Sequence, residues 1–123
     1  MMTGKVVGIR EAVVRLVIFG ESNQQREFEA ILDTGYTGFL TLPAEMIADL
    51  ELDWRRRQQT RLADGSKIFS DVYEATVLWD GKPRRIFVDE VNSESLLGMS
   101  MLAHHELSMK IFDGGEVLIS KLP

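Results

Sequence analysis

Three Asp-Gly turns divide this 123-residue chain into short segments and restrict it to architectures built from hairpins. The turns are "ADGS" at 63–66, "WDGK" at 79–82 and "FDGGE" at 112–116. Asp-Gly accepts the positive backbone φ angles of tight hairpin turns, and β-branched and aromatic residues are enriched around each turn. The alternating apolar segments are predicted as strands at 11–20, 25–32, 67–79, 84–91, 108–112 and 116–120.

Two short helices are predicted between the strands. "PAEMIADLEL" at 43–52 opens with a proline, which suits a first helical turn, and it places Met46, Ile47 and Leu50 on one face. "MSMLAHHEL" gives a second helical pattern near 99–106. With 45% hydrophobic residues, the chain has enough apolar side chains for one core but not for two. We therefore predict an all-β single domain over residues 1–123, a small closed, mostly antiparallel barrel with one or two short helices.

Charge and composition exclude several classes of function. The formal net charge is -5, and the basic residues are scattered apart from Arg55 to Arg57, so no positive stripe is available for nucleic acid. The absence of cysteine excludes disulfides and thiolate metal sites. The adjacent His104 and His105 would point about 100° apart on a helix, so no metal or cofactor is expected. No run reaches membrane-spanning length and no signal peptide is recognisable, so we expect a cytoplasmic protein without membrane partners.

One acidic motif stands out because it follows an apolar segment directly. The stretch is Ile31-Leu32-Asp33-Thr34-Gly35 within "AILDTGYTGFLTLP". It resembles the active-site strand and loop of the retropepsin-like aspartic proteases, a group that contains the retroviral proteases. The family's flap hairpin and its apolar-apolar-glycine element follow in the same order, as 63–66 and 96–98. The residues after the triplet, Tyr36, Thr37, Gly38 and Phe39, resemble the DTG-aromatic-x-Gly-Phe pattern of the small prokaryotic members.

The resemblance implies an aspartic endopeptidase in which Asp33, Thr34 and Gly35 are the catalytic triplet. Peptide hydrolysis of this kind needs one carboxylate to take a proton from water while a second, protonated carboxyl group polarises the substrate carbonyl. Two carboxylates about 3 Å apart cannot both ionise, so such a pair shares one proton. This chain carries a single motif, and we therefore expect a homodimer in which each subunit contributes one Asp33.

The same resemblance assigns roles to residues around the triplet. Thr34 would hydrogen-bond across the dimer axis, and Gly35 would let the substrate backbone approach closely. The large Tyr36 would narrow the substrate pocket or direct its hydroxyl towards the carboxylates. The residues expected to bind a peptide or protein substrate are Tyr36, Thr37 and Gly38 in the loop, and Ala63, Asp64, Gly65 and Ser66 in the flap. The residues expected to support the site are Leu96, Leu97 and Gly98.

Other interpretations of the motif explain less of the chain. A phosphate-binding turn of the actin-like kind would need two large lobes and a lysine-bearing glycine loop. An Asp-x-Asp phosphatase would need an acid at Gly35. A catalytically silent, dimeric peptide-binding module of the same fold is the alternative that remains. For the rest of the chain, the six methionines are predicted to fill the core, and Arg55 to Arg57 to lie on an exposed strand near the flap.

Overall fold

The computed structural model describes residues 1–61 and 63–123, and these residues form ten strands and two short helices. The strands are β1 (Met2–Val7), β2 (Glu11–Phe19), β3 (Gln25–Leu32), β4 (Leu40–Pro43), β5 (Asp53–Arg61), β6 (Lys67–Trp79), β7 (Lys82–Val91), β8 (Leu96–Leu97), β9 (His105–Met109) and β10 (Glu116–Lys121). The helices are α1 (Ala44–Asp49) and α2 (Met99–Leu102). Each predicted strand and helix overlaps an observed one.

Six of the strands close into a barrel. β6 pairs with β7 and β2, β7 with β4, β4 with β8, β8 with β3, and β3 with β2, so the ladder returns to the strand where it began. Only the β3–β8 and β4–β7 pairs are parallel among the pairings of the described residues. The predicted closed, mostly antiparallel barrel is therefore confirmed. Strands β1, β10 and β9 extend the sheet beyond β2, and β5 extends it beyond β6.

The hydrophobic core fills the inside of this barrel. Val14, Leu16 and Ile18 of β2 are fully buried, as expected for side chains two residues apart on one face of a strand. Helix α1 packs Met46 and Ile47 against the same core. Within residues 1–61 and 63–123, no helix has the length and the apolar run that a membrane crossing requires.

The Asp-Gly turns join consecutive antiparallel strands, as predicted. "ADGS" lies between β5 and β6, "WDGK" between β6 and β7, and "FDGGE" between β9 and β10. Gly65 and Gly81 have φ angles of 86° and 79°, which side-chain-bearing residues rarely adopt. The β5–β6 hairpin is the segment that we call the flap.

The structure departs from the predicted elements in two ways: strands β1, β4 and β8 were not predicted, and helix α2 is shorter than predicted. His104 has a φ angle of 67°, in the left-handed region, so the helix ends at Leu102 instead of reaching residue 106. β9 then runs over His105–Met109 because these residues pair with β10, and the strand predicted at 108–112 is displaced towards the N-terminus.

The two surface predictions had different outcomes. Arg55 to Arg57 lie exposed on β5, as predicted. The prediction that all methionines fill the core is wrong for Met1, Met99 and Met109, which are 69%, 48% and 40% exposed. Apolar neighbours in the sequence do not reveal which face of a strand or helix turn becomes covered.

Candidate active site

Asp33 follows the last residue of β3, at the point where β8 is inserted between β3 and β4. β8 pairs in parallel with β3, and its Leu97 carbonyl accepts a 2.9 Å hydrogen bond from the Asp33 amide. The Asp33 Oδ1 accepts the Gly35 amide at 2.9 Å, and the Asp33 carbonyl accepts the Tyr36 amide at 3.1 Å. These bonds orient the partly buried carboxylate at the start of a tight turn.

The segment Leu96–Gly98 and the start of α2 hold the rest of the loop. Gly98 donates its amide to the Phe39 carbonyl at 3.0 Å, and the next amide, of Met99, donates to the Tyr36 carbonyl at 2.8 Å. The Ser100 hydroxyl donates to the Thr37 carbonyl at 2.5 Å. Leu97 is fully buried beneath the loop. The structure thus places the predicted supporting residues in direct contact with the loop that carries Asp33.

The Tyr36 side chain reaches from the loop to strand β7. Its partly buried hydroxyl donates a short hydrogen bond to the Asp89 Oδ2 on β7 and lies 3.4 Å from the Leu40 carbonyl oxygen. Burial, followed by the hydrogen bond and the negative charge of Asp89, holds the pKa of the Tyr36 hydroxyl well above its usual range. Tyr36 was expected either to narrow the pocket or to direct its hydroxyl towards the Asp33 carboxylates. The second expectation is wrong for the single chain, because the hydroxyl bonds to Asp89.

The Tyr36 ring lies in a seat that depends on two glycines. A Cβ at Gly38 would overlap the Tyr36 hydroxyl. A Cβ at Gly98 would overlap the Gly38 carbonyl and lie 2.5 Å from Tyr36 Cδ2 and 2.7 Å from the Tyr36 carbonyl oxygen. The ring and the loop therefore occupy space that any larger residue at these two positions would fill.

Gly98→Ala is expected to lower the free energy of unfolding by about 1–3 kcal/mol, because the added methyl group over-packs this seat. The φ angle of Gly98 is -103°, which alanine adopts freely, so the cost is steric and not conformational. Urea denaturation measures it. Gly8→Ala shows the other kind of cost for comparison, since a Cβ there meets nothing within 4 Å but its φ of 64° strains any side chain. An unfolding midpoint equal to that of the wild type for Gly98→Ala would contradict the described packing.

A cleft of about 950 Å³ opens between the Asp33 loop, the end of β7 and the stem of the flap. Its lining comes from three regions: Asp33, Gly35, Tyr36, Thr37 and Gly38 from the loop, Gln58, Gln59, Arg61, Ile68, Phe69 and Ser70 from the flap stem, and Thr41, Asp89, Glu90, Val91, Asn92 and Leu96 from the wall. The floor and wall carry carboxylates, whereas the flap contributes the guanidinium of Arg61. The structure therefore brings the predicted loop residues and the flap together around one space.

The predicted flap-tip residues Ala63 to Ser66 lie beyond this lining in the single chain. They are exposed, and they form the turn above the stem. The Asp64 Oδ1 accepts hydrogen bonds from the Ser66 hydroxyl at 2.5 Å and the Ser66 amide at 2.9 Å. These bonds hold the pKa of Asp64 below its usual range. A carboxylate with a lowered pKa contributes stability above the ordinary pKa of aspartate, and this contribution is lost as the pH falls through the lowered value.

An apolar patch borders the other side of the loop. We define it by Val7, Ile9, Met109, Ile111 and Phe112, which are 40–69% exposed. Ile9, Met109 and Ile111 line a shallow groove that also contains Thr34. Thr34 itself is exposed in the single chain. Asp33 thus lines the cleft, and the next residue, Thr34, lines the groove of the apolar patch.

The side chain of His105 is bonded within the chain, whereas His104 is exposed. The His105 Nε2 accepts the Trp79 indole N–H at 3.1 Å, and the His105 Nδ1 lies 2.9 Å from the Ala103 carbonyl oxygen. No group of three or more histidine, cysteine or acidic residues in the described part of the chain is placed to hold a metal ion.

Comparison with solved structures identifies the architecture. No protein-family model matches the chain, and no curated protein matches it. EIAV protease in complex with the inhibitor HBY-793 superposes with a TM-score of 0.55 at 17% identity, over 76% of this chain and 86% of that one. A retropepsin-like aspartic protease from Rickettsia conorii superposes with a TM-score of 0.52 at 17% identity, over 96% of this chain and 91% of that one. The chain has a retropepsin-like fold.

Within this retropepsin-like fold, some cleft residues escaped the sequence analysis. Exposed Ile68 and Phe69 follow the flap turn, and two neighbouring apolar residues beside a turn are the signal that could have identified them. Asp89 and Glu90 lie inside a predicted strand and carry no such signal. Their place in the cleft depends on the pairing of β7 with β4, which joins residues far apart in the chain.

Proposed function

We propose that the protein is an aspartic endopeptidase that acts as a homodimer with one Asp33 from each subunit. The observation that supports this most is the position of Asp33. Its carboxylate lies in the floor of a cleft, is oriented by the Gly35 amide, and is overlain by a hairpin. The fold shared with two proteases is consistent with this function.

The proposed reaction uses the paired carboxylates as acid and base. One Asp33 takes a proton from a water molecule, which attacks the scissile carbonyl carbon. The other Asp33, protonated at the start, donates a hydrogen bond to the carbonyl oxygen and stabilises the developing charge. The tetrahedral intermediate then collapses and the carbon–nitrogen bond breaks, while the Asp33 that took the proton from water passes it to the leaving nitrogen.

A second copy of the chain supplies the missing carboxylate in this proposal. The apolar patch shares its groove with Thr34, so a twofold-related subunit seated on the patch would lie next to the Asp33 loop. A twofold contact presents the same surface from each partner, and it therefore covers the patch of both subunits together. The exposed Thr34 would then lie at the contact, beside its twin.

Incubation of the purified protein with a diverse peptide mixture at several pH values, followed by mass spectrometry of the products, tests the proposal. New peptide termini that accumulate in wild-type reactions, at a rate that falls at both low and high pH, are the expected result because only the singly protonated pair reacts. The absence of cleavage at every pH, together with retained peptide binding, would favour the silent binding module of the same fold.

Gly65→Val is expected to raise KM about tenfold or more while kcat changes little, because the flap tip can no longer adopt its left-handed conformation over the substrate. Gly65 has a φ of 86°, and a Cβ there meets nothing within 4 Å, so the effect on folding is limited to backbone strain. Steady-state kinetics on one identified substrate measure the change.

Gly81→Val is the matched control for this prediction. Gly81 also follows an aspartate in a hairpin turn, has a φ of 79° and has open space around its Cβ position. Its turn, however, borders a different pocket, which Trp79, Asp80 and Lys82 line, whereas the turn at Gly65 continues from the flap stem that lines the Asp33 cleft. Both variants should lose similar stability, and only Gly65→Val should lose substrate capture. Equal kinetic effects would show that the flap tip has no specific role.

A further inference from the structure

Tyr36 and Asp89 connect two sides of the cleft that are far apart in the sequence. Tyr36 belongs to the loop that carries Asp33, and Asp89 belongs to β7, 53 residues away. The hydroxyl of a tyrosine has one proton to donate, and the charged carboxylate is a stronger acceptor than the Leu40 carbonyl at 3.4 Å. The proton therefore points to Asp89, and the floor of the cleft is bonded to its wall.

The packing around Tyr36 restricts the position of its ring. Gly38 and Gly98 provide the space that the hydroxyl and the ring occupy, as described above. The backbone on both sides of the ring is also bonded, since the Tyr36 amide donates to the Asp33 carbonyl and the Tyr36 carbonyl accepts the Met99 amide. A shift of the Tyr36 side chain would therefore move the backbone of the Asp33 turn.

Asp89 is held in place by the strands on both sides of β7. It is partly buried, and it lies opposite Thr41 in the pairing of β7 with β4 and opposite Val72 in the pairing with β6. Strand β6 continues into the flap. The hydrogen bond from Tyr36 to Asp89 consequently links the Asp33 loop to β7, which pairs with the strand that continues into the flap.

We infer that Tyr36 and Asp89 form a positioning pair, which holds the loop of residues 33–38 in the orientation in which Asp33 acts. Tyr36 is not aimed at the reacting atoms, and its role is exerted through the Asp33 turn. The inference rests on the proposed protease function. A displacement of a catalytic group by about 1 Å is enough to cost about a hundredfold in rate, so a single bond at this place has a large effect.

Tyr36→Phe keeps the ring in its seat and removes only the hydroxyl. We expect kcat to fall about tenfold to a hundredfold with KM nearly unchanged, which corresponds to the loss of a hydrogen bond to a charged group. Asp89→Ala should give a similar fall, and the double variant should be no worse than either single one. Asp89→Asn should retain more activity because its amide oxygen still accepts the bond.

Tyr73→Phe is the matched control. The Tyr73 hydroxyl donates to the Glu90 Oε1 at 3.3 Å, so it also forms a tyrosine–carboxylate pair. This pair joins β6 to β7, and Tyr73 does not line the cleft. Its removal should leave kcat within about twofold of the wild type. An unchanged kcat in Tyr36→Phe, or additive effects of Tyr36→Phe and Asp89→Ala, would overturn the inference.

Hydrogen exchange at the amides of Gly35 and Tyr36 gives a readout that does not depend on activity. Both amides are bonded to Asp33, so loss of the Tyr36–Asp89 bond should speed their exchange at least several-fold, while the amides of β2 exchange as before. If the wild type cleaves nothing, the protease proposal fails, and this exchange still decides whether the pair holds the loop. Unchanged exchange in Tyr36→Phe would then overturn the inference.

Discussion

Asp33→Asn is expected to lower peptide cleavage by at least about 10³-fold and to leave the fold intact. An amide cannot take a proton from water, and a dimer with two such amides has neither the acid nor the base that the reaction needs. The side chain is only partly buried in the single chain, and asparagine has nearly the same shape. The cleavage rate of an identified substrate and the thermal unfolding of both proteins test this expectation.

Asp49→Asn serves as the control for this substitution. Asp49 forms a surface ion pair with Arg26 at 3.2 Å and lies on α1, away from the cleft. Exposed pairs of this kind contribute about 0–1 kcal/mol, so neither activity nor stability should change much. Cleavage by a clean Asp33→Asn preparation at the wild-type rate would show that Asp33 is structural and that the protease proposal is wrong.

Ile111→Asp is expected to raise the dissociation constant of the dimer by about 10²–10⁴-fold. Burial of one isoleucine side chain contributes about 1.5–3 kcal/mol, and a twofold contact contains two copies of it. Because Ile111 is 60% exposed, the substitution should leave the single chain folded. Analytical ultracentrifugation measures the dissociation constant, and the cleavage rate per chain should fall with it.

Two further measurements distinguish loss of the dimer from misfolding and from a general effect of the added charge. Activity of Ile111→Asp should recover at high protein concentration, since mass action restores the pair of Asp33 residues. Leu122→Asp introduces the same charge at another apolar residue, which is 47% exposed. Leu122 follows the C-terminal end of β10, whereas the patch lies near the N-terminal end of that strand. It should leave dimerisation unchanged. A strictly monomeric wild type that still cleaves peptides would contradict the homodimer.

The local features of the chain were accessible from the sequence because they depend on neighbouring residues. Asp-Gly pairs set the hairpin turns, since glycine alone accepts φ angles such as the 86° of Gly65 without strain. β-branched and aromatic residues around the turns indicated most of the strands. The loop at Asp33 was found for the same reason, because a short acidic motif directly after an apolar strand is a local pattern.

The contacts that shape the site were decided by the tertiary structure. The two-residue strand β8 is too short to predict from its own composition, and it forms because β3 and β4 leave a gap that Leu96 and Leu97 fill. Asp89 meets Tyr36 only because parallel pairing of β4 with β7 brings it to the cleft. No local pattern encodes which strands become neighbours. Closure of the barrel selects those neighbours, because it buries one face of every strand at once. The same closure determines the space that Tyr36 occupies and the position of the cleft wall.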